Sequence, residues 1–119
     1  MRLRNIKNKD LIIEECCFLE KEPFSKKGKW KEEFKNANPI HLEIGMGKGK
    51  FLLEMAKKNP DINFIGVERY TGVLARAIAK ITKEELPNLR VINIDAIKLN
   101  EVFDGEIDTI YLNFIKSLL

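Results

Sequence analysis

The sequence predicts a doubly wound α/β fold, in which a parallel sheet carries helices on both faces. Short apolar runs alternate with segments whose apolar residues recur at helical spacing, and a glycine-rich turn follows the first run. A strand, a helix and a further strand form a right-handed crossover, so the strands are expected to be parallel. The doubly wound topology gives the strand order 3-2-1-4, with a ligand above the carboxyl ends where that order reverses.

The elements follow one another in a regular alternation. Apolar and β-branched runs predict strands at 40–44, 63–68, 89–94 and 107–114. Apolar residues three and four apart predict helices over about 49–58 and 71–84, with a short helix within 96–103. Residues 1–38 are rich in Lys and Glu and lack a clean period, which predicts an N-terminal extension with one or two short helical pieces.

The composition indicates a globular protein of one domain. The chain has 119 residues, of which 45% are hydrophobic and 33% charged, and its net charge of +3 is compatible with a nucleic-acid partner. It contains neither an apolar run of membrane-spanning length nor the apolar stretch of a secretory signal, so we expect a cytoplasmic protein. The adjacent Cys16 and Cys17 are poor disulfide partners and cannot complete a zinc site by themselves, and no metal site is predicted.

The glycine-rich turn at Gly45, Gly47 and Gly49 indicates a nucleotide site, because glycine lets the backbone approach a ligand closely. A phosphate-binding loop would need Gly-Lys-Ser/Thr, and no Ser or Thr lies nearby. The dinucleotide pattern G-x-G-x-x-G would place its third glycine at Lys50, whereas this chain has G-x-G-x-G. Both departures weaken the phosphate and NAD alternatives.

Three carboxylates accompany the loop. Glu43 lies within the first strand, Glu68 ends the second and Asp95 follows the third. Glu68 could accept both ribose hydroxyls of a nucleoside, and Asp95 could accept an adenine amino group. A crevice lined by acids suits a cationic sulfonium better than a pyrophosphate, so the residues favour S-adenosylmethionine.

Four stretches of this chain resemble the bacterial tRNA (guanine-N7)-methyltransferase family in order and spacing. They are His41 to Phe51, Phe64 to Glu68, Leu86 to Arg90, and Asp108 to Phe114. The resemblance covers about residues 1–114 and implies a Rossmann-like class I methyltransferase fold with a truncated sheet. It also implies that Glu43, Gly45, Gly47, Gly49, Glu68 and Asp95 bind S-adenosylmethionine, and that the methyl group goes to N7 of a guanine in the tRNA variable region.

The chain departs from the family pattern after Phe114. The family continues with Ser-Asp-Pro-Trp-Pro, which supplies a catalytic aspartate, whereas this chain reads Ile115-Lys116-Ser117-Leu118-Leu119. We therefore predict no catalytic residue here and no turnover by this chain alone. The predicted segments are an extension at 1–38, a cofactor-binding half at 39–114 and an aberrant tail at 115–119, for which a shifted reading frame is one hypothesis.

Two functions remain open on the sequence alone. One is a tRNA methyltransferase by descent, and the other is a non-catalytic S-adenosylmethionine- or RNA-binding module that a separate chain completes. The fourth strand would be an apolar sheet edge, which predicts self-association. His41 and Trp30 are expected to be packing residues, and Arg2, Arg4, Lys7 and Lys9 could contact RNA phosphates.

Overall fold

The computed structural model describes residues 18–81, 83–84 and 86–112. The two cysteines, the basic residues at positions 2–9 and the tail at 115–119 lie outside the described residues. The predicted division into three segments therefore stays a prediction.

In the described part of the chain, a parallel sheet of four strands forms the centre of the molecule, in the order β3-β2-β1-β4. Its strands are β1 (Ile40–Ile44), β2 (Asn63–Val67), β3 (Leu89–Ile92) and β4 (Thr109–Tyr111). In register, Glu43 lies between Gly66 of β2 and Tyr111 of β4. The predicted parallel topology and strand order are confirmed.

Within the described residues, three α-helices and two 3-10 helices cover the sheet. They are α1 (Trp30–Phe34), α2 (Lys50–Lys58) and α3 (Thr71–Ile81), with 3-10 helices at Pro23–Lys26 and Ala96–Glu101. Leu52 of α2 and Ile78 of α3 pack with Phe64 on one face of the sheet, while Trp30 of α1 packs with Leu42 on the other. The prediction of helices on both faces is confirmed.

The predicted boundaries were too generous at the carboxyl ends of the strands. β2 ends at Val67 rather than at residue 68, and β3 ends at Ile92 rather than at 94. Beyond β3 the apolar pattern runs on because Ile94 is still buried, although it no longer pairs in the sheet. The short helix predicted within 96–103 is a 3-10 helix, and β4 is three residues long within the described part of the chain.

The segment before β1 is fastened to the sheet. Leu19 forms a parallel bridge with Val91 at the outer edge of β3. The Trp30 side chain is fully buried, and its indole N–H donates to the Val102 carbonyl at 2.9 Å. The prediction that Trp30 is a packing residue is confirmed, whereas the bridge at Leu19 had no signal in the sequence.

β4 lies at the other edge of the sheet as described. Ile110 is 52% exposed and Leu112 is 45% exposed, so this edge presents apolar surface. The expected self-association through β4 stays a prediction.

His41 lies in β1 among aromatic rings. Its Nδ1 shares a hydrogen bond of 3.0 Å with the Tyr111 hydroxyl, and its ring meets Phe64 edge-on at 5.5 Å between centroids. Burial lowers the pKa of His41 below its ordinary value, and the nearby Asp108 carboxylate only partly offsets this effect. These contacts agree with the expectation that His41 is a packing residue.

We expect His41 to make the protein less stable in mild acid. Its folded pKa is depressed, so the unfolded chain binds the proton more readily, and the free energy of unfolding falls as the pH drops through about 6.5 toward the folded value. Urea unfolding at pH 7.5 and pH 5.5 measures the difference. The His41→Gln variant retains a partner for Tyr111 without titrating. Its free energy of unfolding should therefore fall less between pH 7.5 and pH 5.5 than that of the wild type. Equal losses in both proteins would contradict this assignment.

Candidate cofactor site

The glycine turn leaves the end of β1 and is tied to the end of β2. The backbone N–H groups of Gly45 and Met46 both donate to the Val67 carbonyl, at 2.9 and 3.0 Å. Gly45, Gly47 and Gly49 have φ angles of 73°, 58° and 80°. All three lie in the left-handed region that residues with a Cβ rarely adopt, so the backbone path itself requires glycine.

Gly49 has a second reason to be glycine. It precedes α2, and a Cβ built there would lie 3.3 Å from the Met46 Cε and 3.4 Å from the Ile81 Cδ1. The start of α2 therefore packs closely against α3. Gly49 therefore has a packing role at the start of α2 and does not line the pocket described below.

Gly66, in the middle of β2, was missed by the sequence reasoning. A Cβ at this position would lie only 2.5 Å from both the Leu52 Cδ2 and the Met46 Sδ. The absence of a side chain in β2 thus lets Met46 of the loop and Leu52 of α2 sit directly on the sheet. The only signal in the sequence was a glycine inside an otherwise apolar strand, which is typical of a close approach.

Glu68 follows β2, and its carboxylate is held by two backbone N–H groups. Oε1 accepts from Gly47 at 3.0 Å, and Oε2 accepts from Tyr70 at 3.1 Å. The residue is only 6% exposed. One carboxylate therefore bridges the glycine loop and the turn that leads into α3, with lone pairs remaining on both oxygens.

Asp95 lies beyond the end of β3, where it caps the second 3-10 helix. Its Oδ1 accepts from the Ile97 N–H at 3.2 Å, and its Oδ2 lies 3.7 Å from an Arg69 guanidinium nitrogen. Both side chains of this ion pair are partly exposed, so the attraction is weak and a ligand can displace it.

Glu43 occupies a different position from the other two acids. It is in the interior of β1, 2% exposed, and is flanked in register by Gly66 and Tyr111. It does not line the pocket that Glu68 and Asp95 share. Its predicted part in binding S-adenosylmethionine stays a prediction.

A pocket of about 670 Å³ opens at the carboxyl ends of β1, β2 and β3. It brings together four of the six predicted residues: Gly45, Gly47, Glu68 and Asp95. Sequence reasoning missed the rest of the lining, which combines apolar side chains with a cation stacked on an aromatic ring. These residues are Ile44, Val67, Arg69, Tyr70, Val73, Ile94 and Ala96. The Arg69 guanidinium carbon lies 4.7 Å from the centre of the Tyr70 ring.

Within the described ranges, no group of three or more His, Cys, Asp or Glu side chains is arranged to hold a metal ion. In that same part of the chain, no helix is both long and apolar enough to cross a bilayer.

Comparison with solved structures defines the class of the fold. The antibiotic-resistance methyltransferase Kmr superposes with a TM-score of 0.60 at 20% identity, over 71% of this chain and 46% of that one. The plantazolicin methyltransferase BamL, solved in complex with a triazolic desmethylPZN analogue and SAH, superposes with a TM-score of 0.50 at 17% identity, over 91% of this chain and 33% of that one. The fold is that of the methyltransferases.

The chain belongs to a methyltransferase family, whose model, described as "Putative methyltransferase", matches residues 37–115. The tRNA (guanine-N(7)-)-methyltransferase of Geobacillus sp. (strain WCH70) is 51% identical over 96% of this chain and 53% of its own length. The enzyme of that name from Lachnoclostridium phytofermentans is 49% identical over 96% of this chain and 54% of its own length. The resemblance predicted from the sequence is confirmed, and the chain spans about half the length of these relatives.

Proposed function

We propose that this chain binds S-adenosylmethionine in the pocket at the carboxyl ends of β1, β2 and β3. The main support is that three separate loops contribute residues to this one pocket. These residues are Gly45, Gly47, Glu68 and Asp95. In a doubly wound sheet a nucleoside is expected beyond the carboxyl ends of the parallel strands, and this pocket lies at that end of the sheet.

The residues fit the chemistry of that cofactor. The Glu68 carboxylate is already oriented by two N–H groups, and its free lone pairs can accept the two ribose hydroxyls. Asp95 can accept from the adenine amino group once Arg69 moves aside, and Ile94 supplies an apolar wall. Carboxylates in the lining favour a ligand that carries positive charge, which agrees with a sulfonium and an ammonium group.

We further propose that the enzyme to which this chain corresponds transfers a methyl group to N7 of a guanine in tRNA. The support is the name shared by relatives that are about half identical to this chain, together with its net charge of +3. The cofactor supplies an activated methyl group, so the protein's part is to bind, orient and desolvate. The proposed compartment is the cytoplasm, where tRNA modification would take place.

Titration calorimetry with S-adenosylhomocysteine tests the proposal on the 119-residue chain. We expect saturable binding at one site, and we expect Asp95→Ala to raise Kd by roughly tenfold or more, because a hydrogen bond to a charged group contributes about 1.5 kcal/mol or more. Asp61→Ala is the matched control, since Asp61 is an exposed acid near the opposite end of β2. Absence of binding by the wild type, or equal effects of the two substitutions, would overturn the assignment.

A further inference from the structure

Asn93, which follows β3, makes an unusual set of contacts with the neighbouring turn. Its Nδ2 donates to the Glu68 carbonyl at 2.8 Å and to the Arg69 carbonyl at 3.2 Å. Its Oδ1 accepts from the Thr71 hydroxyl at 3.4 Å. One side-chain amide thus holds two successive backbone carbonyls and the first residue of α3.

These contacts fix the peptide group that joins Arg69 to Tyr70. In a trans peptide the carbonyl and the N–H point in opposite directions. The carbonyl of this group is directed to Asn93, so its N–H is directed the other way, where it donates to the Glu68 Oε2 at 3.1 Å. Rotation of this peptide away from Asn93 would withdraw the N–H from the carboxylate.

The Glu68 carboxylate in turn reaches the glycine loop, because its other oxygen accepts from the Gly47 N–H at 3.0 Å. A continuous series of hydrogen bonds therefore runs from the Asn93 amide, through the 69–70 peptide and the Glu68 carboxylate, to the loop. The first and last links join separate loops, the middle one lies within the turn after β2, and none of the three is a helix or sheet hydrogen bond.

We propose that Asn93 is a positioning residue for the cofactor site, which sets the orientation of the Glu68 carboxylate through the Arg69–Tyr70 peptide. This inference rests on the proposed function, since it concerns the same pocket. Asn93 need not touch the nucleoside itself; its role is to hold the carboxylate in the rotamer that can accept the ribose hydroxyls. A preorganised carboxylate loses less conformational entropy on binding, which raises affinity.

Two measurements on the full chain test the role. Asn93→Ala should raise the Kd for S-adenosylhomocysteine by about threefold to tenfold. This corresponds to a loss of about 0.7 to 1.4 kcal/mol in binding free energy, because the carboxylate is no longer held in orientation. In the free protein, the Tyr70 amide should exchange its hydrogen faster in the variant than in the wild type. Asn93→Asp retains the acceptor for Thr71 but turns a carboxylate toward two carbonyls. We therefore expect it to raise the Kd for S-adenosylhomocysteine at least as much as Asn93→Ala does.

Thr71→Val is the matched control, because it removes the hydroxyl that Asn93 accepts and leaves both donated bonds intact. It should change Kd by less than about twofold. The proposal is supported if Asn93→Ala exchanges its Tyr70 amide hydrogen faster and has a higher Kd than the wild type. Its thermal unfolding midpoint should then be close to that of Thr71→Val. An unchanged Tyr70 exchange rate would overturn it, whether or not binding is altered.

The exchange measurement needs no ligand, so the two proposals fail separately. If the wild-type chain does not bind S-adenosylhomocysteine, the proposed function fails, while the Tyr70 amide still reports whether Asn93 orients the peptide. If the wild type binds and Asn93→Ala binds equally well, the positioning role fails and the cofactor site stands.

Discussion

Replacing Glu68 with alanine is expected to weaken the binding of S-adenosylhomocysteine by about a hundredfold or more. Two charge-assisted hydrogen bonds to ribose hydroxyls, at about 1.5 kcal/mol or more each, correspond to roughly that factor. The substitution also releases the Gly47 N–H from its acceptor, so the loop loses its tie to the β2–α3 turn. Calorimetry, or competition against a fluorescent cofactor analogue where the affinity is low, measures the change.

The experiment needs a conservative variant, Glu68→Gln, and a control variant, Glu54→Ala. Glutamine preserves the shape of the side chain but offers one carbonyl oxygen in place of two carboxylate oxygens, so we expect an intermediate loss of about tenfold. Glu54 is an exposed acid on α2, and its replacement should leave Kd unchanged. A Glu68→Ala variant that remains folded and binds within threefold of the wild type would show that the carboxylate does not contact the ligand.

Trp30→Ala is expected to cause the largest loss of stability, about 3–5 kcal/mol in the free energy of unfolding. The ring is fully buried, lies 5.3 Å from the Phe103 ring between centroids, and donates to the Val102 carbonyl. Alanine would leave a large cavity and an unpaired carbonyl between α1 and the chain that leads to β4. Urea unfolding monitored by circular dichroism measures the change.

Two further variants separate the causes of that loss. Trp30→Phe keeps most of the apolar ring but loses the indole N–H, so it should cost about 1–3 kcal/mol. Phe24→Ala removes an aromatic side chain that is 47% exposed and should cost less than about 1 kcal/mol. If Trp30→Ala cost no more than Phe24→Ala, the segment before β1 would not be part of the cooperative core.

The sheet could be predicted because its signals are local. β1 and β2 are apolar runs bounded by turn residues, and α2 and α3 show the helical period clearly, so their existence and order follow from the sequence. The doubly wound rule then gives the strand order without any knowledge of contacts. The same rule puts the carboxyl ends of the strands at one side of the sheet, and Glu68 and Asp95 both line the pocket there.

Two sets of contacts could not be predicted in this way, because their partners are distant in sequence: those that hold the segment before β1 and those that orient the site. The Glu106 carboxylate accepts from the N–H groups of Gly28 and Trp30, more than seventy residues earlier. Asn93 and the Glu68 carbonyl are separated by 25 residues, and nothing about a lone asparagine after a strand indicates which carbonyl it will meet. Hydrophobic periodicity describes the faces of elements, whereas a polar side chain's partner depends on the completed fold.

Glu43 illustrates the same limit within the predicted set. Its position two residues before the glycine turn grouped it with the other two acids in the prediction. In the structure it lies within β1 beside Gly66 and Tyr111 and does not line the pocket, so its role in binding stays a prediction. The residues at the ends of strands reach the pocket, while a residue inside a strand is confined to one face.

The most direct test of the cofactor site is a titration of the ¹⁵N-labelled 119-residue chain with S-adenosylhomocysteine, followed by amide chemical shifts. We predict that the largest changes fall at Gly45, Gly47, Tyr70 and Ala96, which lie around the pocket, while amides near the exposed β4 edge at Ile110 move little. Saturating ligand that leaves these four amides unchanged, or that shifts a separate surface instead, would contradict the account.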